Sequence, residues 1–116
     1  ELQELRSKHE ELKEKDPSSG GFFDAPAKER QLEALESQIA EPSFWNDQEK
    51  AQKIVQQRSR IEKGLQQQKQ FETGVSDAEV LFEFAEADAD SAVELESLIA
   101  RLEREVTEAE VQSLLS

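Results

Sequence analysis

The chain has 116 residues, enough for one domain, and 35% of them are charged. Asp and Glu number 27 against 14 Lys and Arg, a net charge of −13. That balance excludes a broad cationic footprint for nucleic acid and disfavours anionic membranes, while a basic protein partner stays compatible. There is no Cys, which removes disulfides and thiolate chemistry and mildly favours a reducing compartment. No run of 18 apolar residues is present to span a bilayer. Hydrophobic residues are 35% of the chain, below the roughly 45–50% of an ordinary globular domain. A thin core of this kind suits an elongated helical array, in which each helix hides one stripe. The start, Glu1-Leu2-Gln3-Glu4, lacks Met and is no signal peptide, so the chain reads as a piece of a longer protein.

The first helix is expected over residues 2 to 15. Leu2, Leu5, His9 and Leu12 recur at steps of three and four, one helical stripe. His9 reads as a packed imidazole, since no second His is available for a metal site. Asp16-Pro17-Ser18-Ser19-Gly20-Gly21 is the strongest breaker, giving a flexible loop over 16–25 in which Phe22 and Phe23 dock back onto helices. Asp24 caps a second helix over 26–40, with Pro26 in its first turn and Leu32, Leu35 and Ile39 as its stripe. Pro42 stops that helix. The joint that follows holds Phe44 and the only Trp, Trp45, which are expected to plug the corner. Asn46 is expected to cap a third helix with Glu49 as the returning partner of a capping box.

That third helix carries Ala51, Ile54, Val55, Arg58, Ile61, Leu65 and Phe71, and is expected to end near Gly74. Ser76 and Glu79 form a second capping box, opening a fourth helix over 77–87 that buries Val80, Leu81, Phe84 and Ala85 and turns Phe82 elsewhere. Asp88-Ala89-Asp90 is an acidic turn. A fifth helix over 91–114, capped by Ser91 with Glu94, carries Val93, Leu95, Leu98, Ile99, Leu102, Val106, Ala109 and Val111. Leu95, Leu98, Leu102 and Ala109 have coiled-coil-like spacing. No segment alternates as a strand does. The expectation is all-α: an elongated bundle or bent array of about five helices, the long ones antiparallel, in one domain over 1–116.

The residues offer no catalytic set, phosphate loop or cofactor site. Carboxylates on solvated helix faces lack the unlike environments that acid and base roles need. Glu86, Asp88 and Asp90 lack the ligand spacing and mid-loop Gly of a calcium loop.

Four segments carry a family resemblance: Gly21-Phe22-Phe23-Asp24; Ala27-Lys28-Glu29-Arg30-Gln31-Leu32-Glu33; Ile39-Ala40-Glu41-Pro42-Ser43-Phe44-Trp45-Asn46-Asp47; and Lys50-Ala51-Gln52. Together they resemble the N-terminal helical domain of bacterial peptide chain release factor 2. Leu81, Phe84 and Ala85-Glu86-Ala87-Asp88 add to it, and the match runs over about residues 20 to 115. The Trp-Asn joint is its most specific part, and it favours type 2 over the sister factor that reads UAG. Pro26 and the long Asp16 to Gly20 stretch depart from the pattern and leave the joint untouched.

The resemblance implies an accessory domain of a cytoplasmic factor that enters the ribosomal A site, reads UAA and UGA and triggers peptidyl-tRNA hydrolysis. The Ser-Pro-Phe type tripeptide and Gly-Gly-Gln loop that perform those steps are not in this chain, so it is expected to be no enzyme by itself. The domain would reach the stalk base and GTPase-associated region of the large subunit, with no direct nucleic-acid footprint of its own. Gly20, Gly21, Asp88 and Asp90 are candidate partner contacts, and Pro42, Phe44, Trp45, Asn46 and Glu49 form the structural joint. The isolated chain is expected to be monomeric. The competing readings are a coiled-coil adaptor and the N-terminal arm of a ribosome-rescue protein related to release factors.

Overall fold

A computed structural model of the protein describes residues 2–15 and 24–115. Among them there are four α-helices, a single 3-10 turn and no strand. The helices are α1 (Leu2–Glu14), α2 (Ala25–Ile39), α3 (Gln48–Ala85) and α4 (Ala89–Leu115), with the 3-10 turn at Phe44–Asn46. The all-α expectation holds. Four helices stand close to the expected number of about five; the difference is that residues 48–85 form one helix of 38 residues where two were expected. The Phe22 and Phe23 expectation lies outside the described residues.

The chain divides into two compact units. One holds α2, the 3-10 turn and residues 48–68 of α3. The other holds α1, residues 69–85 of α3 and α4.

In the first unit, α2 starts as its sequence dictates. Asp24 has extended backbone geometry and its Oδ1 accepts from the Ala27 N–H at 3.0 Å, with Pro26 in the first turn. Leu35 is buried, while Leu32 and Ile39 are half-buried. On α3, Ala51 and Ile61 are buried and Ile54, Val55, Arg58 and Leu65 are half-buried, which follows the expected stripe. Arg58 Nε lies 3.2 Å from Glu62 Oε1, yet its N–H makes no hydrogen bond, so the pair is ionic only.

In the second unit, the core comprises Leu5 and Leu12 of α1, Phe71, Ala78, Phe82 and Ala85 of α3, and Leu95, Ile99, Leu102 and Val106 of α4. The inward α3 positions run 71, 75, 78, 82 and 85, steps of three and four without a break, with Gly74 buried beside Val75; Val75 is half-buried and the others are buried. Those of α4 run 92, 95, 99, 102 and 106 in the same rhythm, Ala92 being half-buried. This is the spacing of a packed helical seam.

The unbroken phase explains two corrections. Phe82 is buried and Phe84 is 55% exposed, the reverse of the expected assignment, and Val80 is exposed with it. Counting on from Phe71 puts 75, 78 and 82 inward and leaves 80 and 84 on the far side. Gly74, expected to end a helix, lies within one and is buried. A Cβ on Gly74 would come within 2.6 Å of Leu102 Cδ2 and 2.8 Å of Arg101 Nη2. Glycine here lets α4 approach, which outweighs its poor helix propensity of about 1 kcal/mol relative to Ala. Ser76 therefore caps nothing. On α4, Val93 and Val111 are exposed, against expectation, since neither falls in the seam.

Candidate functional site

The joint is built by a run of short hydrogen bonds. The N–H of Ala40 donates to the Glu36 carbonyl at 3.0 Å and that of Glu41 to Gln38 at 3.2 Å, closing α2 before Pro42 is reached. The N–H groups of Phe44 and Asn46 then donate to the carbonyls of Glu41 and Ser43, winding the 3-10 turn. Asn46 ends that turn and is not the cap of α3. The cap is Asp47, whose Oδ1 accepts from the Lys50 N–H at 3.1 Å and whose carbonyl accepts from Ala51. Glu49 sits exposed in the first turn of α3, where its charge suits the helix N-terminus.

The Phe44 and Trp45 rings meet edge to face, 4.8 Å between centroids. Trp45 is 57% exposed and Phe44 half-buried. The expected corner plug is therefore not formed by Trp45. Adjacent residues of a tight turn point apart, and only Phe44 faces inward enough to pack.

The turn between α3 and α4 also has an Asp cap. Asp88 Oδ1 accepts from the Asp90 N–H at 3.1 Å, its Oδ2 accepts from Ser91 Oγ at 2.8 Å, and its carbonyl accepts from the Ala92 N–H. Asp88 starts α4, not Ser91, which instead donates to it. Asp90 is exposed in the first turn. Gly20 and Gly21 lie outside the described residues.

A third locality escaped the sequence reading. Arg6, His9, Glu10 and Lys13 of α1 and Glu79 and Phe82 of α3 line an open groove. His9 is buried and its Nε2 lies 3.0 Å from the Val75 carbonyl. A carbonyl only accepts, so Nε2 carries the proton and donates. The imidazole packs on Phe82, 5.3 Å between centroids, and the Arg6 guanidinium lies 4.7 Å over the same phenyl ring. Lys13 Nζ pairs with Glu79 Oε1 at 2.7 Å and more loosely with Glu10 at 3.5 Å. The hydrogen bond from Lys13 holds Glu79 below the usual carboxylate range, and Glu79 in turn raises Lys13. The placement of His9 among leucines was the available signal; its acceptor on α3 was not.

Among the described residues, no group of three or more His, Asp or Glu is placed to hold a metal ion, and no helix is long and apolar enough to cross a membrane.

The chain is similar to curated proteins called peptide chain release factor 2. That of Acidothermus cellulolyticus is 35% identical over 113 residues, covering 93% of this chain and 31% of the relative. That of Clostridium perfringens strain SM101 is 31% identical over 117 residues, covering 100% and 32%. That of Proteus mirabilis is 33% identical over 110 residues, covering 90% and 30%. The chain thus spans about a third of the length of these relatives. Residues 28–116, most of the chain, match the model of the PCRF domain, and the chain belongs to the PCRF domain family.

Proposed function

We propose that the chain is the accessory, ribosome-contacting helical domain of a class-I peptide chain release factor that directs termination at UAA and UGA. The observation that carries this is the likeness to proteins called release factor 2 across 90–100% of the chain. The catalytic and codon-reading parts belong to the remaining two thirds of such a protein. This domain positions the factor at the stalk base and GTPase-associated region of the large subunit, in the cytoplasm. The acidic start of α4 at Asp88 and Asp90 and the Gly20-Gly21 stretch are the proposed contacts, and residues 42–49 set the geometry of the joint.

The experiment is peptide release on ribosomes programmed with UAA, UGA or UAG, using the full-length factor and the 116-residue chain. Release at UAA and UGA by the full-length factor, none at UAG, and none by the chain alone are expected. Efficient release at UAG would overturn the type-2 assignment. Replacing Asp90 by Lys in the full-length factor is expected to slow release; an unchanged rate removes that contact.

The three-and-four spacing of α3 and α4 also suits a coiled-coil adaptor. The seam is filled within one chain, however, and Gly74 against Leu102 across a three-residue turn supports an antiparallel pair. The chain is accordingly proposed to be a monomer. Sedimentation that becomes heavier with concentration would favour the adaptor.

A further inference from the structure

We propose that Val80 and Phe84, on the side of α3 turned away from its core stripe, anchor a basic protein segment. Apolar side chains of that partner cover the two residues, and its Lys and Arg side chains meet the carboxylates around them. This adds an apolar anchor and a partner chemistry to the acidic turn at Asp88 and Asp90, and it does not require that the partner be ribosomal.

Val80 and Phe84 lie one helical turn apart and are therefore neighbours on one face of α3. They are 53% and 55% exposed, with the half-buried Leu81 beside them. The fold does not ask for either. The core of this unit closes on the other side of α3, through Phe71, Ala78, Phe82 and Ala85. Val and Phe are also poorer helix formers than the Ala, Glu or Lys that would serve at an exposed helical position. The backbone under the ring is fixed, because the Phe84 carbonyl accepts from the N–H of Ala87 at 3.2 Å and from that of Asp88 at 3.0 Å. A ring mounted this way at the end of a helix needs little ordering in order to bind.

The charge around the pair selects the partner. Residues 70–100 contain nine Asp or Glu and no Lys or Arg, most of the net charge of −13. Asp77 stands about one turn before Val80, Asp88 about one turn after Phe84, and Glu83 next to it, all three exposed. Lys13, Arg6 and Arg101 are engaged elsewhere: Lys13 pairs with Glu79, Arg6 lies over Phe82 on another face of α3, and Arg101 pairs with Glu105. Carboxylates repel phosphate, which argues against nucleic acid and anionic lipid at this face. A second copy of the chain would set the same carboxylates against each other across a two-fold contact. A segment carrying Lys and Arg around an apolar side chain satisfies both the exposed ring and the charge. The patch is small, so the contact is a transient one, with opposite charge speeding the encounter.

Fluorescence anisotropy on the 116-residue chain tests this, with a labelled amphipathic Leu/Lys helical peptide as the probe. The peptide is expected to bind, with an affinity that falls as salt rises. Phe84→Ala, an exposed change, is expected to weaken binding about five- to tenfold, and Phe84→Leu to keep most of it. Val93→Ala, a change at an apolar residue of α4 that is also exposed, is expected to leave binding unchanged. Asp77→Asn combined with Glu83→Gln is expected to flatten the salt dependence. Circular dichroism of each variant, expected to match the wild type, separates lost binding from lost fold. The proposal is overturned by no binding of the peptide, by equal affinity for the wild-type and Phe84→Ala chains, or by an equal loss in Val93→Ala. Equal binding of the same peptide shuffled to remove its apolar face, or tighter binding of an RNA hairpin, overturns it as well.

Discussion

Gly74 and Leu102 stand so close that no β-carbon fits between them: one built on Gly74 would lie 2.6 Å from Leu102 Cδ2. Leu102 is fully buried and has little room to retreat, whereas the Arg101 guanidinium on the other side can swing away. Gly74→Ala is therefore expected to destabilise the chain by about 1–2 kcal/mol, the overpacking cost exceeding the gain of about 1 kcal/mol in helix propensity. Urea unfolding followed by circular dichroism reads this directly; a stabilised variant would show that α4 yields at no cost.

Phe82 and Phe84 differ by two residues and face opposite environments. Phe82→Ala removes a buried ring with His9 and Arg6 against it and should cost about 3–5 kcal/mol. Phe84→Ala should stay within about 0.5 kcal/mol. Equal midpoints for the two variants in the same urea series would contradict the phase of α3.

Trp45 is the only tryptophan, so its emission reports the joint alone. A ring 57% exposed should emit to the red and be quenched by acrylamide in the native chain. Trp45→Ala should cost no more than about 1 kcal/mol, far less than the roughly 3–5 kcal/mol of a buried tryptophan. A blue-shifted, unquenched spectrum would show that the ring is covered.

The Lys13–Glu79 pair should make the docking of α1 depend on pH at both extremes. Glu79 is held below its unfolded value, so its contribution is present above that value and disappears as pH falls through the folded one. Lys13 is held above its unfolded value, so its contribution is present below that value and disappears as pH rises through the folded one. Carboxyl NMR titration is expected to show Glu79 returning to the ordinary glutamate range in Lys13→Ala. A titration identical to the wild type would mean the pair does not persist in solution.

Much of the helical content was legible because apolar stripes repeat, and the start of α2 was legible because Asp24 is the only cap-forming residue just before its first helical turn. At the other two helix starts the choice lay between neighbours. Asp47 follows Asn46, and Asp88 precedes Ser91 by three; each can cap, and the first residue of the packed stripe decides which one does. The break expected between Gly74 and Ser76 failed for a different reason. Glycine and a Ser-x-x-Glu spacing are local signals, while the continuity of α3 is set by Leu102 across the seam and Lys13 across the groove. Phe82 and Phe84 were exchanged because a short window holds no phase of its own; only the count from Phe71 supplies it. The tie from His9 to Val75 joins residues 66 positions apart, and no pattern along the chain marks a backbone carbonyl as its partner.

The seam between α3 and α4 is lopsided. α3 brings Gly74 and Ala78 between Phe71 and Phe82, and Ala85 beyond them, while α4 brings Leu95, Ile99, Leu102 and Val106. Bulk on one side answers hollows on the other. Two copies of α4 laid face to face would set leucine against leucine with nowhere to nest, and two copies of α3 would leave voids beside their glycines. The helices are thus matched as unlike partners, and each recognises the other in its own chain better than it recognises itself.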